Sequence, residues 1–279
     1  MKIGVLIPLN ENIEREFEKV NNLGISSCQL CCWKEELLTD ENANRVKAAS
    51  KKYNVEISTF WCGWKGPAVW NFYEGQLTLG LVPQTYRYER ICNLMRGSDF
   101  AKKINVTNIA THVGFLPENP MSTEYHSLVC DLRELALYVK GNGQHFLFET
   151  GQETPVTLRR MIEDIGTDNL GVNLDPANLI LYGKANPVDA LDIIGDLVCD
   201  IHGKDGCYPT DGKNLGKETP LGKGMVNYES FIRKLHKIGY NKTITIEREI
   251  SGEEQIRDIK NAKEYLEKLI AMKGTNEND

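Results

Sequence analysis

The sequence predicts a single-domain α/β protein in which eight strand–helix units close into a parallel barrel. Three observations carry that expectation. Short apolar runs alternate with amphipathic ones at intervals of roughly 30 residues, the length of a strand plus its crossover helix. The chain has 279 residues, close to the roughly 250 that an eightfold α/β barrel uses. The rival architecture, an open doubly wound sheet, calls for a glycine-rich turn after an early strand, and no GxGxxG or Walker pattern is present.

The elements follow in order. Residues 2–7 make the first strand, and Asn10 or Asn12 stands where a cap is wanted before a helix with Ile13, Phe17 and Val20 on one stripe, stopped by Gly24. Residues 25–31 are the second strand. Thr39 and Asp40 open a helix to Tyr53, and residues 55–61 are the third strand. From Cys62 to about Arg87 no period is visible, and a loop this long in a compact domain is more often functional than idle. Then come helix 88–103, strand 107–113, a helix from Ser122 and Thr123 to Lys140, strand 144–149, helix 155–165 and strand 170–175. Helical material over 177–194, strand 197–202, a Gly- and Lys-rich loop over 203–224, helix 228–238, strand 242–247 and helix 253–272 complete eight units. Residues 1–272 are the expected TIM-barrel catalytic domain, and 273–279 a flexible tail.

Composition narrows the function classes. A formal net charge of −6 argues against a nucleic-acid partner, because phosphate binding leaves a basic footprint. No apolar run approaches the roughly 20 residues that span a bilayer, so no membrane partner is expected, and the strand-like N-terminus does not read as a signal peptide; the expected compartment is the cytoplasm. The eight cysteines are scattered, in a chain too large to need disulfides. Cys28 and Cys31 match a CxxC spacing, but inside a strand residues three apart point to opposite faces.

Four polar residues fall where strands end: Glu149, Asp175, His202 and Glu247. A parallel barrel delivers every strand's C-terminal end to one face, so the four converge. Clustered buried carboxylates repel one another unless a cation holds them, and two Glu, one Asp and one His suit one divalent metal ion. Any one of them has a plainer reading. Asp175, followed by Pro176, is well placed to cap a helix.

The segments Phe148-Glu149-Thr150, Asn173-Leu174-Asp175-Pro176-Ala177-Asn178, His202-Gly203-Lys204-Asp205, Gly222-x-Gly224 and Ile246-Glu247-Arg248-Glu249, with Thr111-His112-Val113-Gly114, resemble the xylose-isomerase-like TIM-barrel superfamily, in its sugar phosphate isomerase/epimerase branch. The resemblance spans nearly the whole chain. It implies that Glu149, Asp175, His202 and Glu247 ligate the metal and that Glu149 and Glu247 act as the acid/base pair of a ketose or keto-sugar isomerase or epimerase. Manganese is the expected ion, with magnesium, cobalt or zinc as alternatives, since one His among carboxylates selects poorly. A polarised carbonyl acidifies the neighbouring C–H, and carboxylates on opposite sides can remove and return its proton through an enediolate.

The chain departs from the family's 3-epimerases at two substrate-contacting positions, with Asn178 in place of His and Tyr208 in place of Arg. Asn hydrogen-bonds a hydroxyl but carries no proton. A metal-dependent lyase or dehydratase acting on an oxidised sugar, glycoside or inosose is therefore the alternative. His112, Asn178, Lys204, Trp61 and Trp33 are the candidate substrate-binding residues, the tryptophans offering ring faces to a sugar. For Lys204 the plain reading is a salt bridge to Asp205 or Glu149. Lys213, Lys217 and Lys223 read as a solvated surface, and Arg248 as structural, pointing away from Glu247. The expected partner is a small-molecule carbohydrate; association into a homo-oligomer is compatible with the sequence. The repair endonucleases that share the barrel use many more histidines than the five present here.

Overall fold

Buried β-rich runs form β1 (Lys2–Pro8), β2 (Ser27–Cys32), β3 (Glu56–Cys62), β4 (Asn108–His112), β5 (His145–Glu149), β6 (Leu170–Leu174) and β7 (Val198–Gly203); a short antiparallel hairpin of β8 (Asp205–Cys207) and β9 (Lys217–Thr219) precedes the last barrel strand, β10 (Thr243–Ile246). In this computed structural model, which describes residues 1–272, the eight long strands are all parallel and β1 pairs with β10 to close a TIM barrel. The expected tail at 273–279 lies outside the described residues. The crossovers carry α1 (Ile13–Asn22), α2 (Asp40–Tyr53), α3 (Gly75–Thr78), α4 (Gln84–Lys103), α5 (Thr123–Gly141), α6 (Pro155–Ile165), α7 (Pro176–Leu181), α8 (Pro187–Ile194), α9 (Tyr228–Lys237) and α10 (Glu253–Ala271). Among the described residues, no helix is long and apolar enough to cross a membrane.

Capping chemistry sets most helix starts. Thr39, Ser122 and Thr154 each accept a backbone N–H three residues on, and Pro155 follows Thr154 at the first helical position. Asn12 occupies the cap of α1 without using its side chain; the Asn10 carboxamide oxygen accepts the Asn12 N–H instead, at 2.8 Å. The main core lies between the outer face of the sheet and the helices, where Phe17, Phe60, Phe100, Phe146 and Phe231 are buried. A smaller cluster of Trp61, Trp64, Leu79, Ala110 and Leu147 lies apart from it. Deeper hydrogen bonds link buried polar side chains across the barrel: Gln29 Nε2 donates to Asn173 Oδ1 at 3.0 Å, and Thr59 Oγ1 to Asp200 Oδ2 at 2.8 Å.

Three segments differ from the sequence expectation. Helix α4 begins at Gln84, one turn before Tyr88, because Arg87 and Arg90 are buried fasteners rather than surface charges. Arg87 donates to the carbonyls of Leu81 and Val82, and Arg90 to those of Lys65, Pro67, Thr78 and Gly80. Together they pin the long loop after β3. The helical material at 177–194 divides into α7 and α8, with Gly183 at φ +63° and Pro187 opening the second helix. The loop at 203–224 contains the β8–β9 hairpin, and it meets the loop after β3: Phe72 N–H donates to Lys213 O at 2.9 Å, beside an Asn71–Asn214 bridge.

Candidate active site

The strand register brings the predicted residues to one point. His112 pairs with Glu149 across β4 and β5, and Thr245 with His202 across β10 and β7. Glu247 lies one residue past β10, and its N–H donates to Gly203 O at 3.2 Å. Asp175 lies one residue past β6, as the cap of α7 rather than inside a strand. One ligand atom from each of Glu149, Asp175, His202 and Glu247 lies within 4.8 Å of the others.

His202 Nδ1 stands 3.0 Å from Glu247 Oε2, 3.2 Å from Glu149 Oε1 and 3.7 Å from Asp175 Oδ2. On the other side of the ring, Nε2 is 2.9 Å from Gln29 Oε1 and 3.1 Å from Asn173 Nδ2. The Gln29–Asn173 bond couples the two amides; turning both over exchanges their roles and still leaves one amide oxygen against Nε2. That oxygen can accept a proton held on Nε2, and in that tautomer Nδ1 presents a lone pair to the carboxylates. His202 Nδ1, Asp175 Oδ2 and Glu247 Oε2 are all buried without a hydrogen-bond partner. Lone pairs converging in a buried space need a shared cation, so the residues present fit a divalent metal.

Electrostatics agree. Burial alone would lower the imidazole pKa of His202, but Glu149, Glu247 and Asp175 raise it well above the usual value, so protonation and a cation compete for one place. Burial also pushes the Glu247 carboxyl up, yet Lys204 and His202 outweigh it and hold the group well below the usual carboxylate range. Glu149 is likewise held low, with His112 and His202 offsetting its burial. Its Oε2 accepts from Trp61 Nε1, while Asn178 Nδ2 approaches Oε1 at 3.4 Å and His112 Nε2 lies 3.4 Å from the same oxygen. Three of the candidate substrate residues, Trp61, Asn178 and His112, thus also orient a candidate ligand.

For Asp175 the two readings coexist: Oδ1 accepts the Asn178 N–H at 2.9 Å as a helix cap, which leaves Oδ2 for the cluster. Lys204 takes neither of the partners expected from sequence. Its ammonium lies 2.9 Å from Glu249 Oε1, 3.3 Å from Glu247 Oε2 and 3.6 Å from Asp175 Oδ2. Carboxylates Glu247, Glu249 and Asp175 raise its pKa well above the usual value, against a burial effect that would lower it. Arg248 turns away as expected, to Glu218 at 3.0 Å and Asp258 at 2.9 Å.

Above the cluster opens a cavity of about 500 Å³, lined by every predicted site residue except Asp175, which lies beneath it. Trp33 and Trp70 stand at the mouth, each 42% exposed; the Trp33 ring is 4.9 Å from that of Trp61, and Trp70 is 5.4 Å from His112. Tyr208 is outside the lining, so the position where the 3-epimerases carry Arg contributes nothing to it. Lys213, Lys217 and Lys223 are exposed and also outside. Cys28 is buried in the outer core and Cys31 lines the cavity; all eight cysteines are free.

Sequence reasoning missed Gln29 and Asn173, buried polar residues in apolar strands, and Tyr182 and Leu215, which come from the segments around α7 and the β8–β9 hairpin. The signal for the first pair was there: an amide in the middle of a buried strand needs a partner. Glu249 was visible, but not its hold on Lys204.

A parallel eight-stranded barrel with a carboxylate–imidazole cluster at the C-terminal ends of its strands defines a class of site suited to binding a divalent cation beneath a small polar substrate. The chain belongs to the xylose isomerase-like TIM barrel family, whose sequence model matches residues 17–271. It is similar to a xylose isomerase domain protein from Planctomyces limnophilus, at 34% identity over 96% of both chains with a TM-score of 0.91. More distant structures share the fold: 3-keto-D-glucoside 4-epimerase from E. coli (18% identity, 96% of this chain and 99% of that one, TM-score 0.71) and the probable 3-DHS dehydratase AsbF from Bacillus anthracis (18%, 100% of both chains, TM-score 0.69).

Proposed function

We propose that this protein is a divalent-metal-dependent isomerase or epimerase of a ketose or keto-sugar derivative. The observation that carries the reading is the convergence of buried donor atoms on His202, Asp175 and Glu247, none of them in a hydrogen bond, beside Glu149 at the floor of an aromatic cavity. The four side chains would hold one ion, with manganese expected and magnesium, cobalt or zinc acceptable. When bound, such an ion polarises a carbonyl and its neighbouring hydroxyl, acidifying the C–H between them.

The chain's own residues do the rest. Glu149 and Glu247 are both held ionised and approach the cluster from different strands, so one removes a proton and the other returns it. Trp61 and Asn178 fix the Glu149 carboxylate from above, and Lys204 fixes Glu247. His112, Asn178 and Lys204 offer hydrogen bonds to sugar hydroxyls, and Trp33 and Trp61 cover an apolar ring face.

A second reading, lyase or dehydratase, keeps the same base. Asn178 favours it, because an amide at that position cannot relay the proton that the 3-epimerases would pass through His. Nuclear magnetic resonance in D₂O with added Mg²⁺, screening ketoses, keto-acids and 3-keto-glycosides, separates the two: deuterium incorporated without elimination supports the isomerase or epimerase, and release of water or aglycone supports the lyase. Glu149→Gln and Glu247→Gln should each abolish turnover with the fold retained; an active double variant contradicts the mechanism.

A further inference from the structure

The cavity over the carboxylate–imidazole cluster does not end at Trp33. A second cavity of about 580 Å³ adjoins it, and the two share Cys31 and Trp33 in their walls. The outer cavity lies over the loops that follow β1 and β2, where Asn10, Glu11, Asn12 and Lys34 line it. Trp33 is the platform between the two. A Cβ on Gly63 would fall 2.5 Å from Trp33 Cε3 and 2.7 Å from Cδ2, so the indole rests directly on a residue without a side chain. Trp61 and Trp64, both buried, brace it with ring centroids 4.9 and 5.1 Å away. The ring is therefore held in place while much of its surface stays open.

A strap sets the direction in which the inner cavity extends. The loops after β3 and β7, strands opposite one another in the barrel, meet over the mouth through Phe72 and Lys213 and through Asn71 and Asn214. Trp70 and Leu215, next to the bridged asparagines, both line the inner cavity, so the strap roofs it. The outer cavity lies to the β1–β2 side of this strap. Size points the same way. A hexose is about six CHOH units, each near the roughly 30 Å³ of one water molecule, or about 180 Å³ in all. One ring over the cluster leaves much of the inner cavity, about 500 Å³, and all of the outer one without contacts. An aromatic face beside amide, carboxylate and ammonium groups suits a second sugar ring, whose C–H face is apolar and whose edge carries hydroxyls.

Resting on the sugar reading above, we propose that the substrate is a two-ring glycosyl ketose: the ketose end lies over the cluster, and the second sugar ring occupies the outer cavity against Trp33. The test measures binding, not turnover. Wild-type protein loaded with Mg²⁺ is titrated by calorimetry with D-fructose and with its glucosyl derivatives turanose, maltulose, leucrose and isomaltulose, which carry the second ring at successive positions. At least one of the four should bind at least about 10-fold more tightly than D-fructose. Asn12→Trp plugs the outer cavity from a position whose side chain makes no cap hydrogen bond, and should abolish that advantage while leaving D-fructose binding unchanged. D-fructose bound by the wild type with no such advantage for any derivative overturns the proposal, whether or not the variant folds, and leaves the sugar reading standing. An advantage that survives in folded Asn12→Trp overturns it too. If neither D-fructose nor any derivative binds, the sugar reading fails and the two-ring substrate with it.

Discussion

Asp175 and Asn178 are joined through one carboxylate oxygen: Asp175 Oδ1 accepts the Asn178 main-chain N–H at 2.9 Å, and this bond turns Oδ2 into the cluster. A helix cap therefore sets the direction of a candidate ligand. Asp175→Asn should keep the cap through its amide oxygen and cost little stability, yet weaken divalent-metal binding by more than about 100-fold, beyond what loss of an outer partner costs. Asp175→Ala should in addition lose about 1 kcal/mol of stability from the missing cap. Calorimetric metal titration and chemical denaturation separate the two effects.

Gln29 sets the His202 ring by accepting from Nε2 or, with the amides turned over, by supporting Asn173 in that role. Gln29→Leu removes the coupling and should lower metal affinity roughly 10–100-fold, the range found for outer partners of a ligating His. Unchanged affinity in a folded Gln29→Leu protein would show that the ring is held by packing alone.

Much of this was readable beforehand. The alternation of periods gave the barrel, and the strand-end positions gave Glu149, Asp175, His202 and Glu247, because parallel strands share a polarity that sequence order alone reveals. What stayed hidden were groups whose partners are distant in the chain. Arg90 looks like a surface charge on a helix until the loop carbonyls it binds are folded over it. Lys204 sits beside Asp205 in sequence, but successive residues of an extended segment face opposite ways, so Lys204 entered the cavity while Asp205 turned away to accept the backbone N–H groups of Gly206, Gly222, Gly224 and Val226.

Arg90 is the fastener of the loop that carries Trp64 and Trp70. Arg90→Met would leave the carbonyls of Lys65, Pro67, Thr78 and Gly80 without their donor and should lower stability by about 2–4 kcal/mol. Denaturant unfolding reads that loss, and the change in Trp70 accessibility to an aqueous quencher reports whether the cavity roof loosens with it.

Glu153, just beyond β5, gives the fold a pH dependence of its own. Burial pushes its carboxyl up to about 8, against the pull of nearby backbone amides and Lys184. In the unfolded chain the group releases its proton near its usual value of about 4.5; in the folded protein it keeps it to about 8. Between those limits the unfolded state binds fewer protons, so stability falls as pH rises. Glu153→Gln should remove that slope, leaving the variant more stable than wild type at pH 8, relative to their difference at pH 5, by a few kcal/mol. Parallel curves for the two proteins across that range would contradict the assignment.

The most direct measurement is a Mn²⁺ titration of metal-stripped protein, followed by electron paramagnetic resonance, on wild type and on His202→Ala and Glu247→Ala. A single tight equivalent in the wild type, lost in both variants while their folded spectra persist, is the expected result. Wild-type protein with no saturable site, or variants that bind Mn²⁺ as the parent does, would show that the cluster of Glu149, Asp175, His202 and Glu247 is not a metal centre.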